Sequence, residues 1–118
     1  MRSPQNGLLL RAFVGEDDAA SGHALYRVIV ERARDAGLAG ATVLRGPLSF
    51  GHGRHLNSEL NIDMPRKTPL VVEIIDTDER IHAFLPQIDA LIGSGLVTLE
   101  PIRMFRCGRK TSNTDTRP

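Results

Sequence analysis

The sequence predicts an α+β sandwich, one antiparallel sheet with two helices packed on one face, and three observations carry that prediction. The patterns run strand, helix, strand, and then repeat in the same order. The second half echoes the first, because Leu25, Val28, Ile29, Ala36, Gly37 and Thr42 are matched at a constant offset by Ile81, Phe84, Leu85, Ile92, Gly93 and Thr98. The two most apolar strand candidates open the two halves, as the central pair of a shared sheet should.

Leu8 to Val14 (L-L-L-R-A-F-V) is too short for a helix and stops at Gly15, so it reads as a largely buried strand. Gly15 to Gly22 is an acidic, small-residue loop able to supply Ser21 as a helix cap. From His23 onward, Leu25, Val28, Ile29, Ala33 and Ala36 recur at three- and four-residue spacing opposite Arg27, Glu31, Arg34 and Asp35. This is an amphipathic helix, closed by Gly37. Ala41 to Arg45 forms the second strand, which resumes at Leu48 and Phe50. Pro69 to Asp76 (P-L-V-V-E-I-I-D) is nearly continuous in apolar, β-branched residues and belongs at the centre of the sheet.

Asp76 and Glu79 then give a capping-box-like start to a second helix, with Ile81, Phe84, Leu85, Ile88 and Leu91 on one face. Pro86 is expected to kink or split it. Gly93-Ser94-Gly95 ends the helix, and Leu96 to Phe105 is the last strand, assigned to an edge by Pro101. Two right-handed split crossovers on one sheet give the ferredoxin-like βαββαβ fold, strand order 4-1-3-2. Both helices fall on one face. The other face is left uncovered, with Leu, Val, Ile and Phe on both sides of the central strands, so a homo-oligomer is expected.

At 118 residues the chain supports one domain, expected over 7–107, followed by a polar 108–118 tail expected to be disordered. A hydrophobic fraction of 41% with 25% charged residues is that of an ordinary globular protein. The net charge of +1 lacks the basic footprint of a nucleic-acid binder, and 4% aromatics leave Phe13 without the companions that base stacking needs. A single cysteine, Cys107, excludes an internal disulfide. The start lacks a signal-peptide pattern and no apolar run reaches the ~18 residues of a membrane span, so a cytoplasmic protein without membrane insertion is expected. Nucleophile-elbow, Walker and metal-protease patterns are missing, and a non-enzymatic role is expected.

One long stretch carries a resemblance. L-Y-R-V-I-V-E-R-A-R-D-A-G-L-A-G-A-T-V-L-R-G (Leu25 to Gly46), preceded by Gly15-Glu16 and followed by V-E-I-I-D (Val72 to Asp76) and F-L-P (Phe84 to Pro86), resembles the PII-like bacterial family known as domain of unknown function 190. The match runs roughly from Leu8 to Phe105. The resemblance implies a ferredoxin-like subunit of a homotrimer whose sheets pack inward. It also implies a small, nucleotide-like effector in inter-subunit clefts, and a long loop that reaches a partner, a membrane transporter or an enzyme. Gly40-Ala41-Thr42-Val43 resembles the turn that borders the base in PII, and Ser49-Phe50-Gly51 resembles the base of its long loop. Glu73 stands where a glutamate faces the adenine, and Arg103 and Arg106 resemble the arginines that reach the phosphates. Two features depart from PII. Only Gly93-Ser94-Gly95, without a lysine, replaces the glycine-rich phosphate loop, and the sole tyrosine is Tyr26 on the first helix. A ligand smaller or less charged than a triphosphate is therefore expected.

Gly51 to Thr68 is a long loop, rich in Gly, Asn and charges and expected to be mobile. Within it His52-x-x-His55, with Glu59 and Asp63 nearby, has the donors for zinc or copper. This keeps open a metal-binding alternative similar to the ion-tolerance protein CutA, although two solvated histidines explain the same pattern. Arg54, Arg66 and Lys67 make the loop basic, either for an anionic partner or as a solvated face. Glu73 interrupts an apolar strand, where a buried, unpaired carboxylate is costly, so it faces either a cleft or solvent at the sheet margin.

Overall fold

The computed structural model describes residues 3–46, 48–49, 57–58 and 69–108. Phe50, Gly51, the His52/His55 pair, Arg54, Glu59, Asp63, Arg66, Lys67 and the 109–118 tail lie outside the described residues. Strands β1 (Gln5–Gly15), β2 (Gly40–Arg45), β3 (Pro69–Asp76) and β4 (Leu96–Met104) form one antiparallel sheet in the order β2-β3-β1-β4. Helices α1 (Leu25–Asp35) and α2 (Asp78–Ile92) provide the crossovers. This is the expected 4-1-3-2 order. A short strand pair, Leu48–Ser49 with Asn57–Ser58, follows β2.

Strand alternation builds the core. Leu10 lies opposite Ile74, Ala12 opposite Val72 and Val14 opposite Leu70 across the β1–β3 pair. All six are buried, and they form one cluster with Leu25, Ile29 and Ala33 of α1 and Ile81, Phe84 and Ile88 of α2. Cutting any large member to alanine removes about 2–5 kcal/mol in such a core. β1 begins earlier than its apolar residues suggest, because Gln5, Asn6 and Gly7 pair with Met104, Arg103 and Ile102 through the backbone. Gly7 is required there, since a Cβ would come within 2.7 Å of the Asp76 carbonyl oxygen.

The helices differ from expectation in three places, two at their starts and one inside α2. Ser21 does not cap α1; with Gly22 it forms a tight turn, φ 52° and 83°, between the short pair Ala19–Ala20 and His23–Ala24. Such hairpin turns need two left-handed residues. The Leu25 amide is instead taken by the Asp18 carbonyl at 2.8 Å. At the start of α2 the capping residue is Thr77, whose hydroxyl accepts from the Arg80 amide at 3.3 Å, and not Asp76. Pro86 does not split α2, which runs unbroken to Ile92. It lies on the exposed side, where water can hydrate the carbonyl it leaves without an amide. Two other expectations hold: Gly37, φ 75°, closes α1, and Pro101 lies in an edge strand.

The α1 terminus and the α2 start are joined by one buried carboxylate. Gly37 and Leu38 donate their amides to the carbonyls of Arg34 (2.9 Å) and Ala33 (3.1 Å), the paired bonds of a Schellman ending. The carbonyls of Ala36 and Gly37 accept from the Arg80 guanidinium at 3.1 and 2.8 Å. Arg80 also lies 3.2 Å from Asp76, a residue only 2% exposed. Asp76 further accepts from the amides of Ala39 at 2.8 Å and Thr77 at 2.6 Å. Removing one partner from such a network strands the others. Asp76→Ala is therefore expected to lower the unfolding free energy by about 3 kcal/mol or more in a urea titration. A loss of about 1 kcal/mol or less, typical of a surface pair, would show that the junction is not structural.

Candidate functional site

The sheet face away from the helices presents three cross-strand rows. Leu44, Val71, Phe13 and Leu96 form the first, Thr42, Glu73, Arg11 and Thr98 the second, and Gly40, Ile75, Leu9 and Glu100 the third. Phe13, Leu44, Ile75 and Leu96 are all exposed here, between 37% and 61%. The uncovered apolar face expected from the sequence is present, but a charged row crosses it.

Arg11 is the centre of that row. Its Nε donates to Glu73 Oε2 at 3.0 Å and its Nη1 to Glu100 Oε1 at 2.8 Å. These two bonds, Glu73's first and Glu100's second, hold the guanidinium pKa above its ordinary value. Two carboxylates against one cation leave the cluster with one net negative charge.

The residues singled out by the resemblance are distributed over the sheet. Gly40, Ala41 and Thr42 open β2, and Thr42 lies directly opposite Glu73. Glu73 is not at the sheet margin: it stands on a central strand, 26% exposed, with one oxygen held by Arg11. Arg103 lies on β4, at the same end of the sheet as Gly40 but on the opposite edge, and exposed Arg106 follows it. Three strand spacings, about 14 Å, separate the two edges. One chain thus brings Thr42 and Glu73 together and keeps Gly40–Thr42 apart from Arg103. Phe50 and Gly51 lie outside the described residues. So do His52 and His55; among the described residues no three metal-ligating side chains gather.

The opposite end of the sheet is where β2 finishes, with the Gly46 amide donating to the Pro69 carbonyl at 2.8 Å. The Gly93-Ser94-Gly95 turn is also at that end. Shallow hollows there, one beside Leu25, Leu91 and Ser94 and one beside Tyr26, Leu44 and Arg45, include none of Gly40, Ala41, Thr42, Glu73 and Arg103.

The sequence reading missed Arg11, Glu100 and Arg80. A signal for the first existed: Arg11 is the lone charge of β1 and Glu73 the lone charge inside β3, which ends on Asp76, and antiparallel pairing that matches the apolar faces of the two strands sets Arg11 and Glu73 opposite each other. Arg80 carries no such pattern.

Among solved structures, CPII, a nitrogen regulatory PII-like protein from Thiomonas intermedia K12 bound to ADP, AMP and bicarbonate, is similar with a TM-score of 0.68 at 12% identity. The likeness covers 88% of this chain and 92% of that one, and it defines the architecture as PII-like ferredoxin-fold. The chain belongs to the family DUF190, described as Uncharacterized ACR, whose model matches residues 7–104. A UPF0166 protein of Aquifex aeolicus (strain VF5) is 38% identical over 97 residues, 82% of this chain and 91% of that protein. A second UPF0166 protein, from Methanocaldococcus jannaschii, is 24% identical over 102 residues, covering 83% and 91%. No described helix is long and apolar enough to cross a membrane.

His82, on the first turns of α2, has a displaced titration. Its Nδ1 meets the Asp78 carbonyl at 2.9 Å and the Asp78 carboxylate at 2.8 Å, and the backbone bond, followed by the charge of Asp78, raises its pKa above 6.5. A raised folded-state value means that the stabilisation is full below the unfolded value and lost as pH climbs through the folded one. An NMR titration of the imidazole should give a midpoint above 6.5 that falls in Asp78→Ala. An unchanged midpoint in that variant would remove the Asp78 carboxylate as a contributor and leave the shift to the Asp78 backbone carbonyl, which the substitution keeps.

Proposed function

We propose that this chain is the subunit of a homotrimeric PII-like regulatory module that binds a small, nucleotide-like effector between subunits. The observation that carries the reading is the division of the site residues between opposite edges of the sheet, Gly40–Thr42 on β2 and Arg103 on β4. A cyclic assembly, in which the β2 edge of one subunit meets the β4 edge of the next, completes a site that one chain holds in halves. Exposed Phe13, Leu44, Ile75 and Leu96 favour such an assembly, because covering them removes apolar surface from water.

In this reading the arginines, Arg103 and Arg106, neutralise the anionic part of the effector. Thr42 and the oxygen of Glu73 not held by Arg11 read its hydrogen-bond donors. CPII, bound to ADP, AMP and bicarbonate, supports ligands of this size and charge. β2 leads directly from Gly40–Thr42 to Gly46, and so links the site to the 46–68 segment. That segment passes the bound state to a partner, a transporter or an enzyme, and the module works in the cytoplasm by binding and not by catalysis.

Phe13→Asp, a change on the outer face, is expected to give monomer or insoluble material on size exclusion, where the unmodified chain runs as a trimer. A trimeric Phe13→Asp would place the interface elsewhere. A thermal-shift series should show stabilisation by AMP or ADP, since a ligand at a hundred times its Kd adds about 2.7 kcal/mol to the native state. ATP should gain little over ADP, because the Gly93-Ser94-Gly95 turn has no lysine. Arg103→Ala should weaken the effector by about 1.5–3 kcal/mol, the worth of a charge-assisted hydrogen bond. Stabilisation by zinc or copper alone would instead favour the metal-binding reading.

A further inference from the structure

We propose that the Arg11–Glu73–Glu100 cluster makes self-association of the uncovered sheet face proton-linked: covering that face with further copies of this chain drives Glu100 to take up a proton, so the assembly tightens as pH falls. The proposal rests on the reading that copies meet through this face. Its basis is an imbalance in the described face itself. Arg11 of β1 is held between Glu73 of β3 and Glu100 of β4, at 3.0 and 2.8 Å. β2 contributes only Thr42 to the row, and β4 adds Thr98. Apart from Glu100 itself, the rows on either side contain Leu44, Val71, Phe13, Leu96, Gly40, Ile75 and Leu9, none of which can balance the second carboxylate.

In the free chain that excess charge is tolerable because water reaches it. On assembly it is desolvated and also brought toward the same excess on each neighbouring copy. Both effects raise a carboxylate pKa. Glu100 is the group that yields, for two reasons. It stands on an edge strand with its side chain 56% exposed, against 26% for Glu73, so it has more hydration to lose. Its protonation also leaves Arg11 and Glu73 as a neutral, hydrogen-bonded pair at the centre of the face. A pKa raised by assembly means that the assembled form binds more protons than the free chain. Association then strengthens as pH falls, by up to about tenfold per pH unit for each proton taken up.

The test uses the full chain, with sedimentation equilibrium between pH 8 and 5.5 and, where association is too tight for dilution, subunit exchange between isotope-labelled and unlabelled chains. The expected result is about tenfold or greater tightening, or slowing of exchange, from pH 8 to 5.5. Glu100→Gln, close in shape and neutral at every pH, should assemble at pH 8 as the unmodified chain does at pH 5.5, with a flattened profile. A Glu100→Gln chain that keeps the unmodified pH dependence, or an unmodified chain with no pH dependence, overturns the proposal. Phe13→Asp separates the two levels: if it assembles like the unmodified chain, the face itself has been wrongly assigned, whatever Glu100 does.

Discussion

Asp76 ends the central strand β3 as a carboxylate with almost no contact with solvent, and its partners come from three parts of the chain. Ala39 precedes β2, Thr77 caps α2 and Arg80 lies in the first turn of that helix. Arg80 in turn holds the last carbonyls of α1. A buried charge is tolerable only when its lone pairs are filled, so these segments must converge. The start of β2 at Gly40 is therefore fixed relative to both helices, and with it the register that sets Thr42 against Glu73. The candidate site inherits its geometry from a residue that takes no part in it.

The two sheet faces solve different problems. Against the helices the rows are apolar and close-packed, and burial alone stabilises them. On the outer face an apolar row, Leu44–Val71–Phe13–Leu96, lies beside a row in which Arg11 is bound by Glu73, with Glu100 reaching it from the next row. An apolar surface with a polar cluster inside it is a poor solvent-facing surface but a selective contact surface. In the proposed assembly, misaligned copies would leave Arg11, Glu73 or Glu100 against hydrocarbon, so the cluster would penalise wrong registers while the apolar row would favour association.

Much of this was legible before the structure. Period-two and period-3.6 patterns located both helices, the strands of the sheet and the order 4-1-3-2, because strand-to-core alternation is written directly in β1 and β3. Gly37 and Pro101 announced their roles through backbone constraints that hold regardless of context. The helix starts were less readable. Ser21 had the right chemistry for a cap, but Ser21-Gly22 was needed as a left-handed turn; Asp76 looked like a cap, but the last strand residue was drawn into the junction. Pro86 broke a rule of helix interiors at an exposed position, where water can reach the carbonyl left without an amide. The site was readable only as separate residues. Pairing of Arg11 with Glu73 and Glu100, and the separation of Gly40–Thr42 from Arg103, depend on strand register and sheet order.

The claim at the centre of this account is that the effector site is completed between chains. It is tested most directly by mixing two variants that each spoil one half: Thr42→Trp, which fills the β2 side, and Arg103→Ala, which removes the cation on the β4 side. Thr42→Trp alone should not bind ADP measurably by calorimetry, and Arg103→Ala alone should bind it at least about tenfold more weakly than the unmodified chain. After co-refolding in equal amounts, about one quarter of the clefts should combine an intact β2 edge with an intact β4 edge, and binding at the unmodified affinity should return at about that stoichiometry. A mixture that binds no better than its two components would contradict the account, because it would mean that both halves of the site belong to one chain.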